Sequence, residues 1–265
     1  MKLPYSFARY GSYKPPRGAH IDWTHNSARA LKMAIRMGPN NTLIDLVSNL
    51  RGTATTAALS PTASTSQIPL GNGVLFNGAN HVVMSGMSGP ASQPIALAAL
   101  ITQSNTVDRA ALYSQGESFN GNAFVWGFSS LGMYVAMGSS EIGPTTPAHN
   151  PSDVMFYGIS IGPTECNFYL FSYSTQFETT SNQTTAGWGA TANVQIGSAL
   201  TGGSPGRFFS GRVGFLLRWN RVVPYGEFRG LAKDPWSLFA VSSPSLFYGV
   251  QAAAAADTDF AAIGW

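Results

Sequence analysis

Residues 154–174 read VMFYGISIGPTECNFYLFSYS, and the reading of this stretch decides the fold class. It holds two runs dense in aromatic and β-branched side chains, Val154–Ile161 and Asn167–Ser174, separated by a glycine-containing turn. In the second run Tyr169, Phe171 and Tyr173 fall on one face and alternate with Leu170, Ser172 and Ser174, the two-residue period of a β-strand. Toward the N-terminus the same theme repeats at Val74–Phe76, His81–Met84, Ile95–Thr102, Ala110–Ser114, Ala123–Phe128 and Met133–Met137. Toward the C-terminus it repeats at Val194–Ile196 and Arg212–Trp219. Short strands at a spacing of roughly 8–12 residues predict an all-β sandwich or barrel. Asn77-Gly78 predicts a hairpin turn between the first two runs, because both residues accept positive φ.

Helix is scarce. Pro224–Ala232 is the exception: proline stands near the first turn, Glu227 early, and Arg229 and Lys233 late, which suits the helix dipole. The helix should stop at Asp234-Pro235. Arg221 and Glu227 are spaced to brace its start as an ion pair. In the first half Ser27–Met37 is the best helical stretch, although Ala28–Arg36 also fits a strand facing a core on alternate residues. Thr53–Ser66, rich in Thr, Ala and Ser, reads as a loop. The organisation expected is an extended basic arm over 1–19, a sandwich domain over 20–240 and a second arm over 241–265.

Composition narrows the function. Of 265 residues only 10% are charged, against roughly 25% in an ordinary soluble domain. The chain carries 29 Gly and 16 Pro, a heavy load of turn-formers. No apolar run approaches the roughly 20 residues of a membrane span. The single cysteine, Cys166, excludes an intrachain disulfide, and Met1–Tyr5 opens no apolar signal segment, so synthesis in a reducing cytoplasm is expected. Net charge is +6 over residues 1–51, −5 over 52–206 and +2 over 207–265. The basic residues are scattered rather than clustered, which argues against nucleic acid as the partner.

The search for chemistry gives little. The acids of the body, Asp108, Glu117, Glu141, Asp153, Glu165 and Glu178, stand isolated, whereas glycoside hydrolysis needs two carboxylates across one bond. His20, His25, His81 and His149 form no metal-binding spacing, and Asp153 with Asn150 is the one local oxygen cluster. No catalytic residue, metal or cofactor is therefore expected, and the chain reads as no enzyme. Among the six tryptophans, Trp126, Trp219 and Trp236 read as core. Trp188 sits in the polar loop Thr184–Gly189 and is the candidate for a glycan or partner contact. In the arms, Tyr5, Phe7, Tyr10, Phe260 and Trp265 are the candidates for contacts between subunits.

A family resemblance enters at the C-terminal third. Gln195-Ile196-Gly197 is followed by Phe209–Gly214, then Leu217-Arg218-Trp219-Asn220-Arg221, Glu227, Leu231 and Asp234-Pro235-Trp236-Ser237-Leu238-Phe239. This order resembles the end of LamG/concanavalin A-like jelly-roll domains of the kind found in bacteriophage structural proteins. Gly73–Gly78 resembles an early strand of the family, and Ile21-Asp22-Trp23 the opening of its phage members. Phe168–Ser174 lacks the Asp-Gly that ends the corresponding family strand. The resemblance implies a jelly-roll sandwich with one short C-terminal helix. It implies a non-enzymatic virion structural protein, such as a capsid decoration or other outer-surface component anchored by its arms. The expected partners are capsid or tail proteins and other copies of the chain, with a trimer by analogy to virion jelly-rolls. The alternative is a carbohydrate-binding adhesion module of a tail fibre that meets a cell-surface glycan.

Overall fold

The computed structural model describes residues 19–37, 42–54, 60–62, 73–89, 92, 94–103, 109–116, 124–129, 132–138, 140–143, 153–176, 178–184, 188, 193–201 and 203–240. In chain order the first strands are β1 (His20–Ile21), β2 (Leu31–Met37), β3 (Leu43–Asp45), β4 (Arg51–Ala54), β5 (Ser60–Thr62), β6 (Gly73–Asn77) and β7 (Val82–Ser88). Next come β8 (Ile95–Gln103), β9 (Ala110–Gln115), β10 (Phe124–Ser129), β11 (Gly132–Met137), β12 (Ser140–Ile142), β13 (Met155–Ile161) and β14 (Glu165–Ser172). The last are β15 (Glu178–Thr184), β16 (Asn193–Ile196), β17 (Ala199–Thr201), β18 (Ser204–Gly206), β19 (Ser210–Trp219) and β20 (Phe239–Ala240), with one helix, α1 (Tyr225–Lys233), before β20.

The fold is an all-β sandwich. One layer has the order β12-β11-β10-β9-β16-β7-β4 and the other β3-β2-β19-β8-β13-β14-β15, with the β5–β6 pair also attached to β19. The short β3–β4 pair carries the sheet from one layer to the other. Between the layers, Met33, Leu97, Ala99, Tyr157, Ile159 and Phe168 meet Met84, Leu112, Trp126, Phe128 and Val135 in one apolar core. The outer face of the second layer is also buried. Phe228 and Leu231 of α1, with Trp236 and Phe239 after it, cover Ala98, Phe156, Tyr169, Phe171, Phe215 and Trp219. This explains why every residue of β8 and β13 is buried and why nearly all of them are apolar. Both of their faces are covered, and a doubly covered strand loses the polar half of its alternation.

Several expectations change. Leu31–Met37 is a strand, the alternative reading of that stretch, and only Asn26–Ala28 forms a short 3-10 turn. β2 lies between β3 and β19, so Met33 and Ile35 enter the inner core while Leu31 and Ala34 enter the outer one. A strand in mid-sheet gains this double burial and a surface helix does not. Asn77-Gly78 does turn, with Gly78 at φ 81°, but β6 and β7 do not pair with each other. The turn passes the chain from one layer to the other, held by Asn77 Oδ1, which accepts from the Ala79 and Asn80 amides at 3.0 and 3.1 Å. The stretch 53–66 contains the end of β4 and all of β5. The C-terminal helix stands where expected, and the Arg221–Glu227 ion pair braces it.

Candidate functional site

Two large aromatic rings stand out of the layer that covers the second sheet. Trp23 is 58% exposed and Tyr225 46% exposed. Trp23 is presented by a short turn anchored on both sides. The Asp22 amide donates to the Leu238 carbonyl at 2.9 Å, and the His25 amide closes the turn onto the Asp22 carbonyl at 3.0 Å. The Asp22 carboxylate accepts from the Thr24 amide at 3.0 Å and from the Thr24 hydroxyl at 2.6 Å. These bonds, the hydroxyl first, hold its carboxyl below the ordinary value of 3.8 against the opposing effect of burial. His25 Nδ1 accepts from the Ser27 amide at 3.1 Å, and the Ser27 carbonyl accepts from Trp219 Nε1 of the core at 2.6 Å. The indole of Trp23 is thus an exposed apolar plate on a hydrogen-bonded mount, with an ionised carboxylate beside it.

Tyr225 opens α1. Its hydroxyl donates to the Glu178 carboxylate, which also pairs with Arg229 Nε at 3.3 Å. That hydrogen bond is the main reason its phenol is raised above 10.0. Its ring meets Tyr169 edge-on at 5.5 Å, and Tyr169 stacks on Phe228 at 6.1 Å. Glu178 begins β15, an edge strand of sequence ETTSNQT with polar side chains on both faces. On it Asn182 donates to Glu165 Oε2 at 2.6 Å and to Asn167 Oδ1 at 3.0 Å. The edge therefore offers hydroxyls, amides and carboxylates next to an aromatic ring, the kind of polar group that fixes the orientation of a hydroxyl-rich ligand.

The structure corrects the choice of tryptophan. Trp188 is only 7% exposed, belongs to the inner core, and its ring lies 5.1 Å from that of Phe124. A polar loop sequence can still turn one ring inward, because burying an indole removes more apolar surface from water than burying its small neighbours. Trp126, Trp219 and Trp236 are core residues, as expected. Tyr5, Phe7, Tyr10, Phe260 and Trp265 lie outside the described residues, as do Asp108, Glu117, His149 and Asn150. The described acids of the body have separate partners. Glu141 pairs with Arg109 at 3.2 Å, and Asp153 accepts from the Ser172 and Ser174 hydroxyls at 2.5 and 2.7 Å. Among the described residues no three of His, Cys, Asp and Glu converge on one point. Trp23 carried a signal in the sequence: Asp-Trp-Thr-His is an aspartate-capped turn, and a turn tip is an exposed place.

The chain is an all-β sandwich of a kind found in carbohydrate-active proteins and in phage tailspikes. It is similar to domain 4 of AbnA, an extracellular GH43 arabinanase from Geobacillus stearothermophilus, in complex with arabinotriose. The identity is 15%, over 76% of this chain and 98% of that one, with a TM-score of 0.57. It is similar to Trypanosoma rangeli sialidase in complex with 2,3-difluorosialic acid, at 17% identity over 77% of this chain and 33% of that one, TM-score 0.53. It is also similar to the enzymatically active domain of bacteriophage CBA120 tailspike protein 2, at 14% identity over 74% of this chain and 33% of that one, TM-score 0.51. The chain thus spans about a third of the sialidase and tailspike chains. No protein-family model matches the chain, and no curated protein matches it in sequence.

At these identities the likeness is one of fold. It nonetheless corrects the expectation of a chain that is no enzyme. The structures sharing this sandwich come from an arabinanase, a sialidase and an active tailspike domain. Isolated carboxylates in the sequence do not therefore exclude a carbohydrate-active protein.

Proposed function

We propose that the chain is a carbohydrate-recognising module, with a LamG-like jelly-roll topology, of a bacteriophage adhesion protein such as a tail fibre or tailspike. The observation that carries this reading is Trp23, an exposed indole on a hydrogen-bonded turn. A sugar ring would lay its apolar C–H face on the indole, while its hydroxyls would donate to Asp22. Tyr225, Glu178 and the polar β15 edge form a second contact region on the same layer. The similarity to a domain bound to arabinotriose makes arabino-oligosaccharides the first ligands to try, followed by sialosides and bacterial surface polysaccharides.

The test is calorimetric titration of the full chain with these glycans, with reducing-end release followed in the same samples. Trp23→Ala should weaken binding about tenfold or more, a loss of about 1.4 kcal/mol, with the melting temperature unchanged. Equal affinity in the variant and the parent would sink the assignment of Trp23.

A second reading, an outer-surface virion component that self-associates through its terminal segments, is favoured by one feature. β1 pairs with β20, so His20 lies opposite Ala240 and both ends of the sandwich sit side by side. Both terminal segments could then act on one neighbour. Light scattering on the full chain and on a chain lacking 243–265 tests it: an oligomer that becomes a monomer supports this reading, and a monomer in both cases removes it.

A further inference from the structure

The two ends of the sheet are built differently. β12, the outermost strand of the first layer, has three residues, and its Glu141 is held by Arg109. β15, the outermost strand of the second layer, has seven. It stays in unbroken register with β14, from Glu178 opposite Phe171 to Thr184 opposite Glu165. Edge strands are ordinarily kept from pairing by shortness, proline, a bulge or a charge within the strand. β15 has none of these. Its one charge, Glu178, stands at the first position, and three of its residues are β-branched threonines.

The direction of its backbone groups follows from β14. In an antiparallel strand the N–H and C=O of one residue point to the same side, and the side alternates along the strand. The Glu165 carbonyl accepts from the Gly162 amide at 2.8 Å, and the Tyr173 amide donates to the Val154 carbonyl at 3.0 Å, both on the β13 side. Cys166, Phe168 and Leu170 therefore turn toward β15, where they meet Gln183, Ser181 and Thr179. Glu178, Thr180, Asn182 and Thr184 turn their N–H and C=O groups away from β14, to a side where no described strand pairs with them. The side chains of Thr180, Asn182 and Thr184 are exposed.

This outward set is complementary to itself. Laid antiparallel against a copy, with Ser181 opposite Ser181, Thr180 faces Asn182 and Glu178 faces Thr184. In each of these pairs both residues turn their N–H and C=O outward, so donors and acceptors match along the whole strand. The two Glu178 carboxylates then stand about 20 Å apart, six residues of strand rise. A parallel pairing in register would set them side by side, where like charges repel.

We propose that two copies of the chain join antiparallel through β15 about a twofold axis at Ser181, so that the second layer runs on from one copy into the other. The occupant is a second copy because the match of hydrogen bonds and charge is one that β15 makes with itself. The inference does not use the carbohydrate reading. A seven-residue edge is a small contact beside the roughly 1,200 Å² of a standard interface, so dissociation in the micromolar range is expected.

Sedimentation velocity of the full chain across micromolar concentrations is the test, and a monomer–dimer equilibrium is the expected result. Thr180→Pro removes an outward amide and no bond to β14. By symmetry it does so twice per dimer, so association should weaken about tenfold or more. Ser181→Lys and Ser181→Glu each set like charges face to face at the axis and should each be monomeric. Mixed together, they should recover a dimer. That recovery requires Ser181 opposite Ser181, and it decides the matter even if Thr180→Pro fails to fold. A parent chain that is monomeric at every concentration, mixed variants that stay monomeric, or a dimer unchanged in all three variants overturns the proposal. A dimer lost on removing 243–265 but kept by the three variants also overturns it and assigns association to the terminal segments. Glycan binding at Trp23 is measured separately, so either reading can fail alone.

Discussion

Trp188, the ring that its sequence context placed at the surface, is buried, and Trp23 is the exposed one, a difference with a measurable consequence. Trp188 packs in the inner core, so Trp188→Ala should cost about 3–5 kcal/mol in a denaturant titration. Trp23→Ala should stay within about 0.5 kcal/mol of the parent, because an exposed ring loses little on truncation. Asp45 is the other decisive single residue. It is fully buried and accepts from the Ala34 amide at 2.7 Å, the Val47 and Ser48 amides at 3.2 and 3.1 Å, and the Ser48 hydroxyl at 2.5 Å. Asp45→Ala strands these donors and should cost about 3 kcal/mol or more by the same measurement.

His81 supplies a pH dependence. It is buried beside Phe208, at a ring distance of 5.9 Å, and burial lowers its pKa below 6.5. The unfolded chain then takes up a proton at higher pH than the folded one. Stability from this residue is complete above about pH 6.5, falls as pH drops below that, and is fully lost once the folded imidazole titrates. Urea midpoints measured from pH 7.5 downward should show this decline, and His81→Gln should flatten it. An unchanged slope in the variant would assign the decline to other groups.

At the scale of elements, the sheet leaves room for glycine alone at certain crossings. β10 shifts register between Trp126 and Gly127 where it runs against β9. A Cβ at Gly127 would overlap the Ala110 carbonyl oxygen. Gly127→Ala should therefore destabilise the protein by about 1–3 kcal/mol, the range for an overpacked site, read as a lowered melting temperature. Gly158 on β13 lets Phe228 of α1 lie against the sheet, since a Cβ there would sit 3.0 Å from the ring.

The strands most legible in the sequence were those with dense apolar runs, such as β8, β13 and β14. β15 escaped notice because a polar edge strand has no apolar alternation to read. Asn77-Gly78 was legible as a turn, since turn chemistry is local. Its role as a passage between layers was not, since what places β6 and β7 in different layers includes pairing with strands far along the chain, β19 and β16.

At the scale of the whole molecule, β19 is the keystone strand. It pairs with β2, β6 and β8, so residue 219 must find residue 31 before the second layer is complete. Such long-range pairing makes folding slow. A chain ending at residue 209 lacks the centre of that layer and, with α1, Trp236 and Phe239, the C-terminal part of its outer cover, and calorimetry should show no cooperative unfolding transition for it.

The all-β class and the single C-terminal helix were determined by the sequence alone. Two-residue alternation, turn-formers and helix-end preferences are properties of neighbouring residues. The tertiary structure alone decided which aromatic ring meets solvent and which charged side chain is buried. Burial at Trp23, Trp188 and Arg218 depends on what distant segments lay across each position, and no local pattern encodes that.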